Sequence, residues 1–316
     1  MQRVVLKLCV LVAGLSARLY FPYVILGLWN RVFGGWRSVF FCYSGGVAYR
    51  NAYAPGPIAE MFRWVPNPIG VLRQGEARAL VLASPMTEAE FLDPANGAKF
   101  RRFQKRLALI ARLLGIRQIH MAGILPSILR NTSAITVHPS QGVTVAVVVA
   151  AVETLRARAF GDALVPVILL GGAGFIGQGV ADVLRDKGID VRVVDPVIGN
   201  KDFPADLVGH PALLVDLARR GALQKRMDDL WPGLVVLNEV FPEPSRQDAL
   251  RLDKRGIALW HLAGVPGRVW PSLPGGYGHA IPCCAIHDDN ADLQPVLLPL
   301  NACAERAGLA KAVQAA

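Results

Sequence analysis

From Met1 to Ala59 the chain contains no aspartate and no glutamate, and charged residues make up only 18% of its 316 residues. Apolar runs in that segment are nevertheless too short to span a bilayer, which takes about 20 residues, because Arg3, Lys7, Arg18, Arg31, Arg37 and Arg50 interrupt them. Cysteine is scarce. Cys9, Cys42, Cys283, Cys284 and Cys303 include no CxxC, which excludes a disulfide framework and makes a reducing cytoplasm the default compartment. Cys283 and Cys284 with His279 and His287 match no common zinc spacing, so no metal site is assigned. GxSxG, HExxH and Walker loops are missing, which removes hydrolysis by those routes. A Lys/Arg-dense recognition stripe is missing too. The densest run, "RFQKRLALIAR", reads as one solvated helix face, so nucleic acid is not among the expected partners.

What is present points to a large, apolar, basic protein. With 53% hydrophobic residues the chain can fill the cores of two ordinary domains. Its net charge of +10 favours anionic lipid, phosphorylated ligands or an acidic carrier protein. Eleven of the 24 aromatics, Trp29 and Trp36 among them, fall in the acid-free first 59 residues. Two readings fit this segment: peripheral contact with an anionic membrane surface, where cations meet headgroups and Trp and Tyr sit at headgroup depth, or a helical hairpin buried in the first domain. "MQRVVLKLCVLVAGLSA" has a passing likeness to a secretory signal, but Lys7 splits its apolar region, and export is rejected. Monomer and homo-oligomer both remain open.

Further along, "GVLRQGEARALVLASPMT" alternates as a strand or hairpin, and "FRRFQKRLALIARLLGIRQIHMAG" reads as a basic amphipathic helix running into a strand. "SQGVTVAVVVAAVETLRARA" follows, with Ser140 placed to cap a helix that is apolar all round and therefore buried between layers. The expected fold class is α/β. An N-terminal α/β substrate-type domain (1–138) precedes a doubly wound parallel-sheet domain (139–316) that includes a linker helix over 140–157.

The most specific pattern lies at 165–196, "VPVILLGGAGFIGQGVADVLRDKGIDVRVVDP". A short apolar strand ends at Leu170, and Gly172, Ala173, Gly174, Phe175, Ile176 and Gly177 form GxGxxG as the next helix opens. One glycine makes the tight turn, the next admits a pyrophosphate against the backbone, and the third lets helix pack on strand. The phosphates then meet the unpaired N–H groups and dipole of a helix N-terminus. Asp195 ends "VRVVD", placed to accept hydrogen bonds from ribose hydroxyls and to repel a 2′-phosphate, so NAD(H) is favoured over NADP(H). "ALLVDL", "GLVVLNEV" and "IALWHLAG" continue a Rossmann-type sheet. Asp216 ends the first of these, within reach of adenine or capping the next turn. Asn238 and Glu239 end the second, on the ligand-bearing carboxyl edge. His120, His138, His210 and His261 read as packed or surface histidines.

The glycine string resembles the extended short-chain dehydrogenases, but their Tyr-x-x-x-Lys pair is absent: the only tyrosine after the loop is Tyr277, and Ile281 stands four residues on. The order of parts resembles shikimate dehydrogenase, glutamyl-tRNA reductase and their relatives. Within that set, "LGIRQIHMAGILPSIL", the helix opening around Thr144, "PGGYGHAIPCC" and "NACAERA" are similar to segments of the cyanobacterial long-chain acyl-carrier-protein reductases that make fatty aldehydes. Ser140-Gln141 stand where that family has Gly-Asn, and Asp195 points to NADH where the family prefers NADPH.

The resemblance implies an NAD(P)H-dependent oxidoreductase that reduces an acyl thioester, carried by acyl carrier protein or CoA, to an aldehyde. Cys303 would be its nucleophile, Arg306 would be close enough to lower the thiol pKa, and Cys284 would stand in reserve. The bland reading of Cys303 is a small packed residue on a helix. Two alternatives stand beside this one: a dehydrogenase of a small hydroxy or amino acid without covalent catalysis, and a non-catalytic NAD-binding regulatory protein.

Overall fold

The structure, a computed structural model, describes residues 20–47, 50–51, 56–129, 141–272, 279–287 and 293–309. Its chain contacts fall into two units, Met1–Ser140 with Gly267–Ala291 and Gln141–Pro266 with Asp292–Ala316. Ser140, His138 and the stretches 1–19 and 273–278 lie outside the described residues.

Unit 1 opens with α1 (Phe21–Phe33), followed by β1 (Ser38–Ser44), α2 (Gly56–Met61), β2 (Asn67–Gln74), β3 (Ala77–Thr87), α3 (Glu88–Leu92), α4 (Gly97–Leu114), β4 (Gln118–Met121) and α5 (Leu125–Leu129). The expected hairpin is β2–β3, turned through Gly75 at φ +55°, a left-handed conformation that glycine adopts without steric cost. The expected basic helix is α4. Phe100, Phe103, Leu107, Ile110 and Leu114 recur every three or four residues and point into the core, while Arg101, Arg102, Lys105 and Arg106 face outward. Phe41, Phe91, Phe100, Phe103 and Trp64 meet there, mostly edge to face.

Unit 2 begins with α6 (Gln141–Phe160), the apolar helix expected over 140–157. β5 (Val167–Leu170), α7 (Phe175–Asp186), β6 (Val191–Val194), β7 (Ala212–Asp216), α8 (Ala222–Arg226), β8 (Leu234–Asn238), α9 (Arg246–Lys254) and β9 (Ala258–Pro266) follow. The parallel strands run β6-β5-β7-β8-β9. Alternation along them sends Ile168, Leu214, Val236 and Leu259 into a core shared with Leu223 of α8 and Ala249 and Leu252 of α9. α6 and α7 pack together elsewhere in the unit, so closely that a side chain at Gly179 would meet Val145 Cγ2 at 2.8 Å. Burial of α6 follows from its composition: Val145, Val147, Val148, Ala151, Val152 and Leu155 are all inside, each valine or leucine side chain worth about 2 kcal/mol.

The expected boundary needs one correction. Residues 267–291 were expected in the nucleotide domain, but they belong to unit 1, where β10 (Arg268–Trp270) pairs antiparallel with β2 and is followed by β11 (Ala280–Ile281). Gly267 makes this return possible, since a Cβ there would stand 2.7 Å from Ile281 Cγ2 and 3.0 Å from Arg73 O. The chain then re-enters unit 2 as β12 (Val296–Pro299), antiparallel to β9, and ends its described part with α10 (Ala302–Leu309).

Candidate functional site

The glycine loop joins β5 to α7 at the carboxyl edge of the unit 2 sheet. The turn residue is Gly171, one position before the motif: it takes φ +84°, and a Cβ on it would stand 2.6 Å from Ala218 Cα. Gly172 instead lets the turn lie against the sheet, where a Cβ would meet Val193 Cγ1 at 2.8 Å. Gly177 lets α7 close on the turn, with only 2.5 Å between its missing Cβ and Gly171 O. Gly174 is the N-cap of α7 and offers no side-chain cap, so the first-turn N–H groups of Ile176 and Gly177 face the helix start, where an α-helix supplies them no acceptor. These features fit an anion held by backbone donors and the helix dipole.

Asp195 directly follows β6 and is buried. Its Oδ2 accepts from Ala173 N–H at 3.0 Å and its Oδ1 from Val197 N–H at 2.9 Å. The carboxylate therefore fixes the glycine loop to the end of β6 as well as placing negative charge beside it. A cavity of about 740 Å³ flanks the loop on this side, lined at one end by Gly172, Ala173 and Gln178 and farther off by Arg185 and Arg192. Those two arginines are occupied by Asp182, Asp190 and Asp206.

Across the neighbouring strands the register places Leu170 beside Asp216, Asp216 beside Asn238, and Asn238 beside His261. Three polar residues on adjacent strands thus share one row, Asp216 and Asn238 at the ends of β7 and β8 and His261 inside β9, and each is about 2% exposed or less. β5 also lies between β6 and β7, so the chain leaves it toward opposite sides at this edge, the position where open α/β sheets form their ligand crevice.

The electrostatics of the row are unusual. Asp216 accepts a hydrogen bond from Ala218 N–H at 3.1 Å, yet burial pushes its carboxyl up to about 7. Glu239 is pushed up to about 8, by burial and then by the charge of Asp216. His261 Nδ1 lies 2.9 Å from Asn238 Nδ2 and 3.1 Å from Asn238 O, and burial lowers the ring's pKa and keeps it neutral against the opposing pull of Glu243. The Asn238 amide also donates to Val240 O at 2.8 Å. Clustered, perturbed groups at a ligand edge are a mark of chemistry. Asp216, Asn238 and Glu239 are the residues expected at this edge; His261, expected as a packed or surface histidine, is packed and also joins the row. No local signal singles it out, because His261 stands inside the apolar strand β9 and meets Asn238 only through inter-strand register. Glu243 stands among prolines and carries no such signal.

The two candidate thiols stand elsewhere. β12 runs antiparallel to β9, which carries Cys303 to the amino edge of the sheet, opposite the glycine loop. There its N–H donates to Asp253 Oδ1 at 2.7 Å, and Arg306 Nη2 donates to Sγ at 3.0 Å. Burial and Asp253 outweigh Arg306, so the thiol pKa is raised where a nucleophile needs it lowered. Cys284 lies in a 3₁₀ turn of unit 1, and its nearness adds to the burial that lifts Cys42 to about 12. Among the described residues no group of three or more His, Cys, Asp or Glu is arranged to hold a metal ion, and no helix is long and apolar enough to cross a membrane.

No protein-family profile matches the chain, and no curated protein matches it by sequence. Among solved structures it is similar to L-tryptophan dehydrogenase from Nostoc punctiforme, at 13% identity over 72% of this chain and 70% of that one, with a TM-score of 0.37. It is also similar to a putative malic enzyme (malate oxidoreductase), at 16% identity over 77% and 71% with a TM-score of 0.36. A shikimate dehydrogenase in complex with NADP+ matches at 10% identity over 72% and 84%, with a TM-score of 0.35. No residue role is carried over from likenesses this distant. By its own fold and site, the chain is a two-unit α/β protein whose second unit presents a dinucleotide-type glycine loop on a parallel sheet.

Proposed function

We propose that the protein is an NAD(P)-dependent oxidoreductase, that unit 2 holds NAD(H) in preference to NADP(H), and that it acts on a carbonyl or hydroxyl substrate without a covalent enzyme intermediate. The observation that carries this reading is the uncapped start of α7 tied through Asp195 to the same sheet edge as Asp216, Asn238 and His261. A bound nicotinamide would supply hydride chemistry. The chain's own contribution begins with backbone donors at Ile176 and Gly177 for the diphosphate, and with the Asp195 charge, which disfavours a 2′-phosphate. Carboxyl groups lifted to about 7 and about 8 leave Asp216 shared between its two forms and Glu239 mostly protonated near neutral pH. They can give a proton to a developing alkoxide, or take one from a hydroxyl, without crowding the diphosphate with full negative charge.

The acyl-thioester version of this chemistry needs an activated thiolate. Cys303, the residue the resemblance assigns to it, has a raised pKa and lies at the opposite edge of the sheet, which favours the direct reading. Calorimetry with NADH and NADPH tests the proposal, using Gly174→Ala as the variant. Gly174 has φ −71° and a Cβ there would meet only Gly171 O, at 3.2 Å, so alanine asks a few tenths of an ångström of that carbonyl while it blocks close approach of a diphosphate, and an unchanged melting temperature separates the two effects. NADH is expected to bind more tightly than NADPH, and the variant to lose about tenfold or more in affinity. Absence of heat with either dinucleotide, or an unaffected variant, overturns the reading.

A further inference from the structure

α1 presents an unusual outer face. Phe21, Val24, Ile25, Leu28, Trp29, Val32 and Phe33 are all exposed, from 39% at Val24 to 72% at Val32, and the Trp29 and Phe33 rings lie tilted against each other with centroids 4.4 Å apart. The inner face is firmly seated. Tyr23 is buried and donates to Pro66 O at 3.0 Å, Asn30 donates to Leu114 O at 3.2 Å, and Gly27 lies so close to α4 that a Cβ would overlap Leu113 O. The apolar side chains are therefore held outward by the packing of the opposite side. An exposed contiguous apolar surface of this kind marks an interaction site.

Charge selects the partner. Arg31 reaches the turn at Gly115, and Arg112 and Arg117 flank that turn, while Arg101, Arg102, Lys105 and Arg106 extend along the exposed side of α4. Among the described residues none of these cations is in an ion pair. A second copy joined through the same face would set these cations against themselves with no acid of α1 to offset them. Large apolar and aromatic side chains on a helix lying beside unpaired cations suit the boundary between anionic headgroups and acyl chains. We propose that the outer face of α1, with the cations of α4 beside it, docks unit 1 on an anionic lipid bilayer.

Flotation of the full chain with phosphatidylcholine vesicles, with and without phosphatidylserine, tests this. The wild type is expected to float with the anionic vesicles and to be released by salt. Leu28→Ser with Val32→Ser, both exposed, is expected to weaken binding about tenfold or more with an unchanged circular dichroism spectrum and melting temperature. Arg31→Gln with Arg112→Gln is expected to weaken binding to anionic vesicles several-fold and to leave the apolar face intact. A wild type that stays off both kinds of vesicle, or floats equally well in the serine variant, overturns the proposal. So does a concentration-dependent dimer that the serine variant dissolves, which would give the face to a second copy.

Discussion

The two ends of the unit 2 sheet are made from the same strands and treat buried polar groups in opposite ways. At the amino edge Asn301 is fully engaged: Oδ1 accepts from Leu259 N–H and Ala304 N–H, and Nδ2 donates to Ile257 O and Ala249 O. Asp253 there is half-buried and held below its ordinary range by hydrogen bonds from Cys303. At the carboxyl edge Asp216 and Glu239 sit with few partners and raised pKa values, and Glu243 Oε2 is buried without a hydrogen bond among the described residues. A satisfied network stabilises the fold, whereas groups left in tension are available to a ligand. The difference separates the edge whose polar groups are satisfied by unit 2 itself from the edge to which the proposed function assigns the ligand.

The sharpest test of that contrast is pH. Asp216 and Glu239 have folded-state pKa values above their ordinary ones, so the unfolded chain ionises them first, and the stability they contribute at low pH is lost as pH rises through about 7 and about 8. Urea denaturation should show stability falling from about pH 4, where the unfolded carboxyls ionise, to about pH 8, and level above that. Asp216→Asn, whose side-chain oxygen can still accept from Ala218 N–H, should flatten that slope and raise stability at the alkaline end by as much as roughly 4 kcal/mol. NADH affinity should fall over the same range in the wild type, because the diphosphate then meets two carboxylates, and should fall less in the variant. A wild type whose stability is flat with pH would remove the tension assigned to this edge.

Much of this arrangement is legible in the residues, and the reasons for the remainder are physical. β5, α7 and the acid after β6 follow from local pattern, since apolar runs, glycine spacing and a strand-ending aspartate are all short-range signals. The amphipathic helix α4 and the hairpin β2–β3 are legible for the same reason. Gly171 was overlooked because the motif begins at Gly172, although the left-handed turn falls one residue earlier. β10 is three residues long and pairs with a strand almost 200 positions before it, so no local periodicity announces it. The alignment of Asp216, Asn238 and His261 depends on inter-strand register, and Cys303's position on the direction of β12. Neither is encoded within a single segment.

At the amino edge, Asn301→Ala removes the acceptor for two buried N–H groups and the donor for two carbonyls. A loss of about 3 kcal/mol is expected, read as a lower urea midpoint, while NADH affinity of the folded protein changes by less than about twofold. Loss of dinucleotide binding in a variant that remains folded would show that the two edges are coupled.

The smallest effect is expected at Cys303, and it separates the sequence resemblance from the geometry. Its Sγ donates to Asp253 O at 3.6 Å and accepts from Arg306, and a serine hydroxyl can serve both partners, so Cys303→Ser should alter stability by less than about 1 kcal/mol. Burial and Asp253 keep the thiol protonated near neutral pH, which predicts slow alkylation by iodoacetamide compared with a free cysteine. Turnover of any substrate should stay within about twofold of the wild type, because the proposed hydride and proton movements belong to the other edge. An acylated Cys303 recovered from enzyme incubated with an acyl thioester, together with lost turnover in a folded Cys303→Ser, would reverse the assignment of the two edges and restore covalent catalysis.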